Sequence, residues 1–289
     1  MSIPRQATAG LSVPPGPLTA EQLMATATVE IIPLKGAQDQ VCAAPADAAV
    51  TITCSPRFGL ERTLEFCALA AGSGRRVVPH LAARMVTSRR ALTDFVSRVE
   101  DLGVTDLYVI GGDGEAPAGP YSEASQVLED LRERDHALTR LGVGCYPEGH
   151  PRVESDELWA ALERKQQLAT YMVSQMCFDA AVVRDWLAQA RQRGISLPLR
   201  AGVAGPLKVA RLAELSLKIG VGQSLRYLSK QHGLVGNVLR GRAYDPGPFV
   251  SAVAGTAGLE GLHVFSFNQV PRYVAWLEAR RDTSGVQAR

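Results

Sequence analysis

The amino-acid sequence predicts an α/β fold, a single (β/α)₈ TIM barrel, from three observations. Short apolar runs rich in β-branched residues alternate with segments of helical period almost to the end of the chain. Eight such runs are present, and the helix-length connections between them imply parallel pairing. Polar residues directly follow several runs, as they do at the ligand-binding face of a barrel. A doubly wound open sheet is the alternative, but eight strands in 289 residues favour closure.

The predicted elements follow one another regularly. Strands are expected at 27–33, 48–54, 75–81, 106–112, 141–147, 170–176, 197–203 and 262–268. The segments between them place apolar residues three and four positions apart, and most end in glycine, which accommodates the left-handed conformation that closes a helix. The first crossover, LKGAQDQVCAAPAD, has room for only one or two helical turns. We therefore expect a truncated helix or a loop there.

Two regions depart from this alternation. Residues 1–25 contain PPGP and are predicted to form an N-terminal tail or lead-in, which leaves 26–289 as the barrel domain. Residues 221–261 include a helix-like QSLRYLSKQHG and are expected to cap or extend the barrel. The apolar positions Leu225 and Tyr227 either help to close the barrel or pack against a second copy in a homo-oligomer.

Composition argues against several function classes. The chain has 31 basic and 29 acidic residues, and this balance gives no reason to expect a nucleic acid partner. The N-terminus lacks the apolar core of a signal peptide, and no run approaches the ~20 apolar residues of a membrane span, so we expect a cytoplasmic protein with no membrane partner. Five cysteines without a CxxC pair fit reduced thiols. Neither HxxxH nor GxSxG is present, so the sequence predicts neither a metal site nor a serine hydrolase.

Six motifs occur in an order that resembles the methylenetetrahydrofolate reductase family. They are TCSP, PHL, GGD, YPEGHP, the lysine of LERKQQ ahead of SQMCFD, and GLHVFSFN. Members of this family are (β/α)₈ barrels that reduce 5,10-methylenetetrahydrofolate to 5-methyltetrahydrofolate, commonly with FAD carrying the hydride from NADH or NADPH. The resemblance implies an oxidoreductase of one-carbon metabolism with a folate substrate.

Two carboxylates are candidate catalytic residues. Opening the five-membered ring of the folate requires a proton on a weakly basic nitrogen, and a partly desolvated carboxylic acid is a suitable donor. Glu30 interrupts the apolar run VEIIP, where function would explain the cost of its burial, and the resemblance matches it to the family's glutamate. Asp113 is placed by the resemblance near flavin and pterin, where its charge would stabilise the iminium; an ordinary turn residue is the alternative.

Further candidates are expected to bind substrate and cofactor. The resemblance matches Gln175 to a folate-binding glutamine, whose amide both donates and accepts. Phe178 is expected either to stack on the folate or nicotinamide or to belong to the core. Gly112, directly before Asp113, permits close approach of the backbone to a ligand. The resemblance assigns the flavin contacts to Thr53 or Ser55, His80, Tyr146, His150 and Lys165.

The chain departs from the family where FAD would be held. Gly111 stands in place of the family's arginine, and Phe265 stands where many relatives have tyrosine. Without flavin, NADH would give its hydride directly to the iminium carbon, with Arg57 and Arg84 as alternative anion contacts. Two further hypotheses stay open, namely a related tetrahydrofolate-dependent one-carbon or methyl-transfer enzyme and a folate-binding barrel without redox activity.

Overall fold

Eight parallel strands close into a barrel in which each strand pairs with the next along the chain and the last pairs with the first. A computed structural model describes residues 16–114, 116–218 and 243–286, without the side chains of 213, 215–218 and 282–286. This topology confirms the predicted (β/α)₈ barrel, and it excludes the open sheet because an open sheet would leave the first and last strands unpaired.

All eight predicted strands are present, and helices connect them. The strands are β1 (Thr28–Ile31), β2 (Ala49–Ile52), β3 (Val77–Ala82), β4 (Asp106–Ile110), β5 (Arg140–Cys145), β6 (Tyr171–Ser174), β7 (Leu199–Ala204) and β8 (Leu259–Phe265). The helices are α1 (Ala20–Ala25), α2 (Ala37–Ala43), α3 (Gly59–Gly72), α4 (Arg89–Asp101), α5 (Ala124–Arg132), α6 (Ser155–Lys165), α7 (Ala180–Gln192), α8 (Val209–Lys218), α9 (Gly247–Val253) and α10 (Val270–Val286).

The largest difference from the predicted boundaries is at β8, which lies three residues earlier than the predicted 262–268. The strand ends at Phe265 because Phe267 and Asn268 adopt positive φ angles of 49° and 55°, which are incompatible with extended backbone. The truncated first crossover is confirmed, since α2 has only seven residues.

The ends of the chain and one crossover are described only in part. Helix α1 lies within the predicted lead-in, begins at a capping box formed by Thr19 and Gln22, and buries Leu23. The predicted helix with Leu225 and Tyr227 lies outside the described residues. None of the helices in the described ranges is both long and apolar enough to span a membrane.

The barrel has an apolar outer face and a polar interior. Because strand side chains alternate between the two faces, Val29 and Ile31 join the core between strands and helices, while Thr28 and Glu30 point inward. Branched apolar side chains usually fill this interior. Here Val78 and Val173 share the interior with a larger polar set: Thr28, Glu30, Thr51, His80, Tyr108, Tyr171, Arg200 and His263.

An ionic network occupies the amino-terminal end of the barrel. Glu260 lies 2.6 Å from Arg140 and 2.7 Å from Arg200. Asp106 accepts hydrogen bonds from Arg140 at 3.3 Å and from the Tyr171 hydroxyl at 2.7 Å. These residues sit at the starts of β4 to β8, so the network seals the end opposite the one where ligands bind in such barrels.

Replacing Glu260 with glutamine should lower the free energy of unfolding by about 2 kcal/mol, because the Arg200 guanidinium, which is 11% exposed, loses its counter-charge, while the 40% exposed Arg140 keeps Asp106. Urea unfolding followed by circular dichroism measures this. The control is Asp94→Asn, which breaks an exposed pair with Arg90 at 3.8 Å and should cost less than about 0.5 kcal/mol. Similar small losses in both variants would mean that the network contributes no more than a surface pair.

Candidate functional site

A buried carboxylate and an imidazole form a pair at the seam between β1 and β8. Glu30 is 9% exposed and its Oε2 lies 3.1 Å from Nε2 of His263, which is 2% exposed. The other ring nitrogen of His263 lies 3.1 Å from the Thr28 hydroxyl. His263 therefore links Thr28 to the predicted catalytic acid.

The hydrogen bonds of this pair suit either protonation state of Glu30. If the Thr28 hydroxyl donates to Nδ1 of His263, then Nε2 carries the proton and donates to a Glu30 carboxylate. If Thr28 instead donates to the Leu262 carbonyl at 3.4 Å, it can accept from Nδ1, and Nε2 then accepts from a protonated Glu30. A change of tautomer at His263 thus accommodates loss or gain of the Glu30 proton.

His80 lies inside the barrel rather than on its rim. The ring is 4% exposed, packs edge-on against Tyr108 with centroids 4.6 Å apart, and stacks on His263 at 6.2 Å. Burial, and secondarily the neighbouring His263, lowers the pKa of His80 well below its ordinary value, which keeps the ring neutral. Within the described part of the chain, its Nε2 has no hydrogen-bond partner.

The segment after β8 holds the end of β1 in place. The Ser266 hydroxyl donates to the Glu30 carbonyl, and the Asn268 side chain both accepts from the Ile32 amide at 2.8 Å and donates to the Ile32 carbonyl at 2.9 Å. Phe267 and Asn268 are consecutive residues in the left-handed region, which is costly for a bulky side chain such as that of Phe267. Strained backbone at this position supports a functional role for this end of the barrel.

Asp113 lies on the rim of the barrel. Its side chain is 90% exposed, and Oδ1 is 3.7 Å from the guanidinium of Arg152. Gly112 has a φ of 93°, and a Cβ added there would lie 3.0 Å from Cβ of Ala82, so the turn requires glycine. Arg84 orders the same loop, because its guanidinium donates to the carbonyls of Gly114 and Ser122.

Two predicted cofactor contacts line a cavity of 320 Å³ between α6, α7 and the loop after β5. These are Tyr146 and Lys165; His150 packs edge-on against Tyr146, with ring centroids 5.1 Å apart. Lys165 donates to the Gly144 carbonyl at 2.9 Å, and burial lowers its pKa. The cavity is near the lower limit for a drug-sized ligand.

The remaining predicted residues occupy different surroundings. Thr53 and Ser55 are half-buried in the loop after β2, where the Ser55 hydroxyl accepts from the Arg57 amide at 3.3 Å. Gln175 is half-buried directly after β6. Phe178 is buried and packs edge-on against Tyr244, with centroids 5.5 Å apart, so it belongs to the core rather than to an open stacking surface.

Glu148 is a half-buried carboxyl that the sequence analysis did not identify. It belongs to YPEGHP, and its Oε1 accepts from the Phe178 amide at 3.3 Å, just before α7. Burial raises the pKa of Glu148 to about 7, although hydrogen bonds from the amides of Phe178 and Asp179 oppose the shift. The position of Glu148 in a Pro- and Gly-containing turn gave no sign that its side chain folds inward.

Comparisons with known proteins identify one family. A family model described as methylenetetrahydrofolate reductase matches residues 49–225, more than half of the 289 residues. A solved structure of a putative lyase/mutase from Burkholderia cenocepacia J2315 is 14% identical, with a TM-score of 0.49 over 96% of this chain and 85% of that one. QR15, an aldolase, is 9% identical, with a TM-score of 0.47 over 90% and 97%. These two likenesses carry no information about activity.

The pH dependence of stability should report on Glu148. Its pKa of about 7 in the folded protein exceeds its ordinary value of 4.5, so the contribution of its proton to stability is complete below pH 4.5 and is lost as the pH rises to 7. Relative to Glu148→Gln, which does not titrate, the wild type should lose about 3 kcal/mol of unfolding free energy over this interval.

Urea unfolding at several pH values measures this difference. The control is Glu157→Gln, which removes an exposed carboxyl from α6 and should keep the pH profile of the wild type. A constant difference between wild type and Glu148→Gln at all pH values would contradict the burial of an ionisable Glu148.

Proposed function

The chain belongs to the methylenetetrahydrofolate reductase family, and we propose that it reduces 5,10-methylenetetrahydrofolate to 5-methyltetrahydrofolate with Glu30 as the general acid. The observation that carries this proposal is the burial of the Glu30 carboxyl against His263 inside the barrel. Both residues lie outside the matched segment 49–225, so their roles rest on their geometry.

Glu30 has the surroundings that the acid step requires. Its proton passes to a ring nitrogen of the folate, the bond from that nitrogen to the methylene carbon breaks, and the other nitrogen forms an iminium with the same carbon. Hydride from NADH or NADPH then adds to the iminium carbon and produces the methyl group. The Glu30 carboxylate left behind accepts the hydrogen bond of His263 until it regains a proton.

The predicted flavin contacts do not fit an FAD pyrophosphate. Gly111 supplies no cation where the family has arginine, and the half-buried Lys165 ammonium already donates to a backbone carbonyl. His80 is packed inside the barrel between Tyr108 and His263. We therefore propose direct hydride transfer from the nicotinamide to the folate, a step that requires only that the two rings be held in contact.

Groups near the ends of the strands are available to bind the two substrates. Arg57, in the loop after β2, is exposed and lies over the Phe58 ring at 5.2 Å, so it is a suitable contact for a phosphate or a glutamyl tail. Gln175 follows β6 and would contact the pterin edge. Asp113, on a loop with two glycines, would stabilise the iminium by turning toward it when folate binds.

The proposed reaction is tested by anaerobic NADH oxidation in flavin-free protein with 5,10-methylenetetrahydrofolate, with and without added FAD. We expect a folate-dependent rate without flavin, unchanged by FAD, because the predicted flavin contacts do not supply its anion site. A rate that depends on FAD would overturn direct transfer. Turnover of another folate or methyl donor, or folate binding without turnover, would instead favour a related one-carbon enzyme or a binding protein.

Glu30→Gln should reduce turnover on the order of 10²- to 10⁴-fold while leaving the dissociation constant for folate largely unchanged, because the amide keeps the shape of the side chain and cannot donate the catalytic proton. Steady-state kinetics and fluorescence titration measure the two quantities. Glu163→Gln, at an exposed position on α6, is the matched control and should behave as the wild type. Equal losses of binding and turnover would rule out Glu30 as the acid.

A further inference from the structure

Three strands bring potential metal ligands together inside the barrel. One ligand atom each from Glu30 on β1, His80 on β3 and His263 on β8 lie within 4.8 Å of one another, and all three residues are buried. We propose that these side chains form a binding site for a divalent transition-metal ion, with Zn²⁺ as its representative. Short local motifs in the sequence give no sign of this site, because its ligands come from three separate strands.

The distances suit a metal centre after a small adjustment. Zn²⁺ binds imidazole and carboxylate at about 2.0–2.2 Å, which places two ligands of a tetrahedral ion about 3.3 Å apart. Glu30 and His263 are already separated by 3.1 Å. No two of the three ligand atoms are more than 4.8 Å apart, so the widest separation would have to close by at most roughly 1.5 Å, a movement within reach of side-chain rotation.

An unsatisfied nitrogen supports the same site independently. His80 is more than nine-tenths buried, and its Nε2 lacks a hydrogen-bond partner among the described residues. Buried polar atoms of this kind are uncommon and costly, and a bound ion would satisfy this one. His263 meanwhile has its Nδ1 next to the Thr28 hydroxyl, the outer-shell contact that orients a metal-binding imidazole with Nε2 toward the ion.

A small cavity lies beside His263 on the side of Thr28. Its volume is about 10 Å³, approximately enough for one water molecule, and its lining includes Thr28, Thr51, Arg200 and His263 but neither Glu30 nor His80. The Thr51 hydroxyl has no partner among the described residues, and Thr51 pairs in register with Glu30. The proposed donor set itself consists of two imidazoles and one carboxylate, which suits Zn²⁺, Co²⁺ or Fe²⁺ rather than Mg²⁺ or Ca²⁺.

Occupancy of this site has a consequence for the proposed reaction. A Glu30 carboxylate that ligates a cation carries no proton to deliver, so the metal-bound protein should be inactive as a reductase. The site itself does not depend on the proposed function, whereas this inhibition does.

Metal content tests the site directly. The full chain is treated with EDTA, incubated with excess Zn²⁺, desalted and analysed for zinc; about one ion per chain is expected. His80→Gln and His263→Gln should each lose it, while Cys42→Ser, which removes an exposed thiol, should retain it. The proposal would be overturned if the wild type retained no zinc, or if both histidine variants retained as much zinc as the wild type.

X-ray absorption of the zinc-loaded wild type decides the question even if a histidine variant does not fold. Nitrogen and oxygen neighbours that include imidazole, without sulfur, are expected, and a sulfur neighbour would overturn the proposed ligands. NADH oxidation in the same preparation separates the two proposals. If zinc binds as described but does not slow turnover, the site stands and Glu30 is not the acid.

Discussion

The pairing of β8 with β1 is the interaction on which the site depends. Barrel closure places His263 beside Thr28 and brings its ring within hydrogen-bonding distance of Glu30. The same closure lets Ser266 and Asn268 bind the backbone of Glu30 and Ile32 through side-chain hydrogen bonds. These contacts fix both the side chain and the backbone of the proposed acid. Such preorganisation reduces the conformational freedom that the acid would lose when substrates bind.

Burying polar groups inside the barrel costs desolvation free energy, which the fold offsets to different extents along the barrel axis. At the amino-terminal end, Glu260 and Asp106 together balance the charges of Arg140 and Arg200. Further inside the barrel, His80 and Thr51 retain polar atoms without partners in the described part of the chain. Incomplete satisfaction is typical of regions that serve a ligand rather than stability. The apolar core between strands and helices supplies the stability that permits this arrangement.

The spacing of apolar residues predicted the architecture, because side chains in strands and helices repeat every two to four residues and a short stretch of sequence is enough to show this. The eight strands, the short first crossover and the unusual burial of Glu30 could all be recognised within a few residues of sequence. Contacts between residues that are distant in sequence could not be recognised in this way. Glu30 and His263 are 233 positions apart, and only the closed barrel makes them neighbours. Side-chain direction was equally inaccessible, since Asp113 points to solvent and Glu148 folds inward from similar polar turns.

The hydrogen bonds from Ser266 and Asn268 to the end of β1 also have a consequence for biosynthesis. Glu30 is translated early, yet the residues that bury it and hold its backbone come from the final strand and the turn that follows. A nascent chain that lacks this strand leaves the Glu30 carboxyl in water and without its contact to His263. The ribosome must therefore synthesise nearly the whole barrel before the proposed acid acquires its environment, which couples the appearance of activity to the last step of barrel closure.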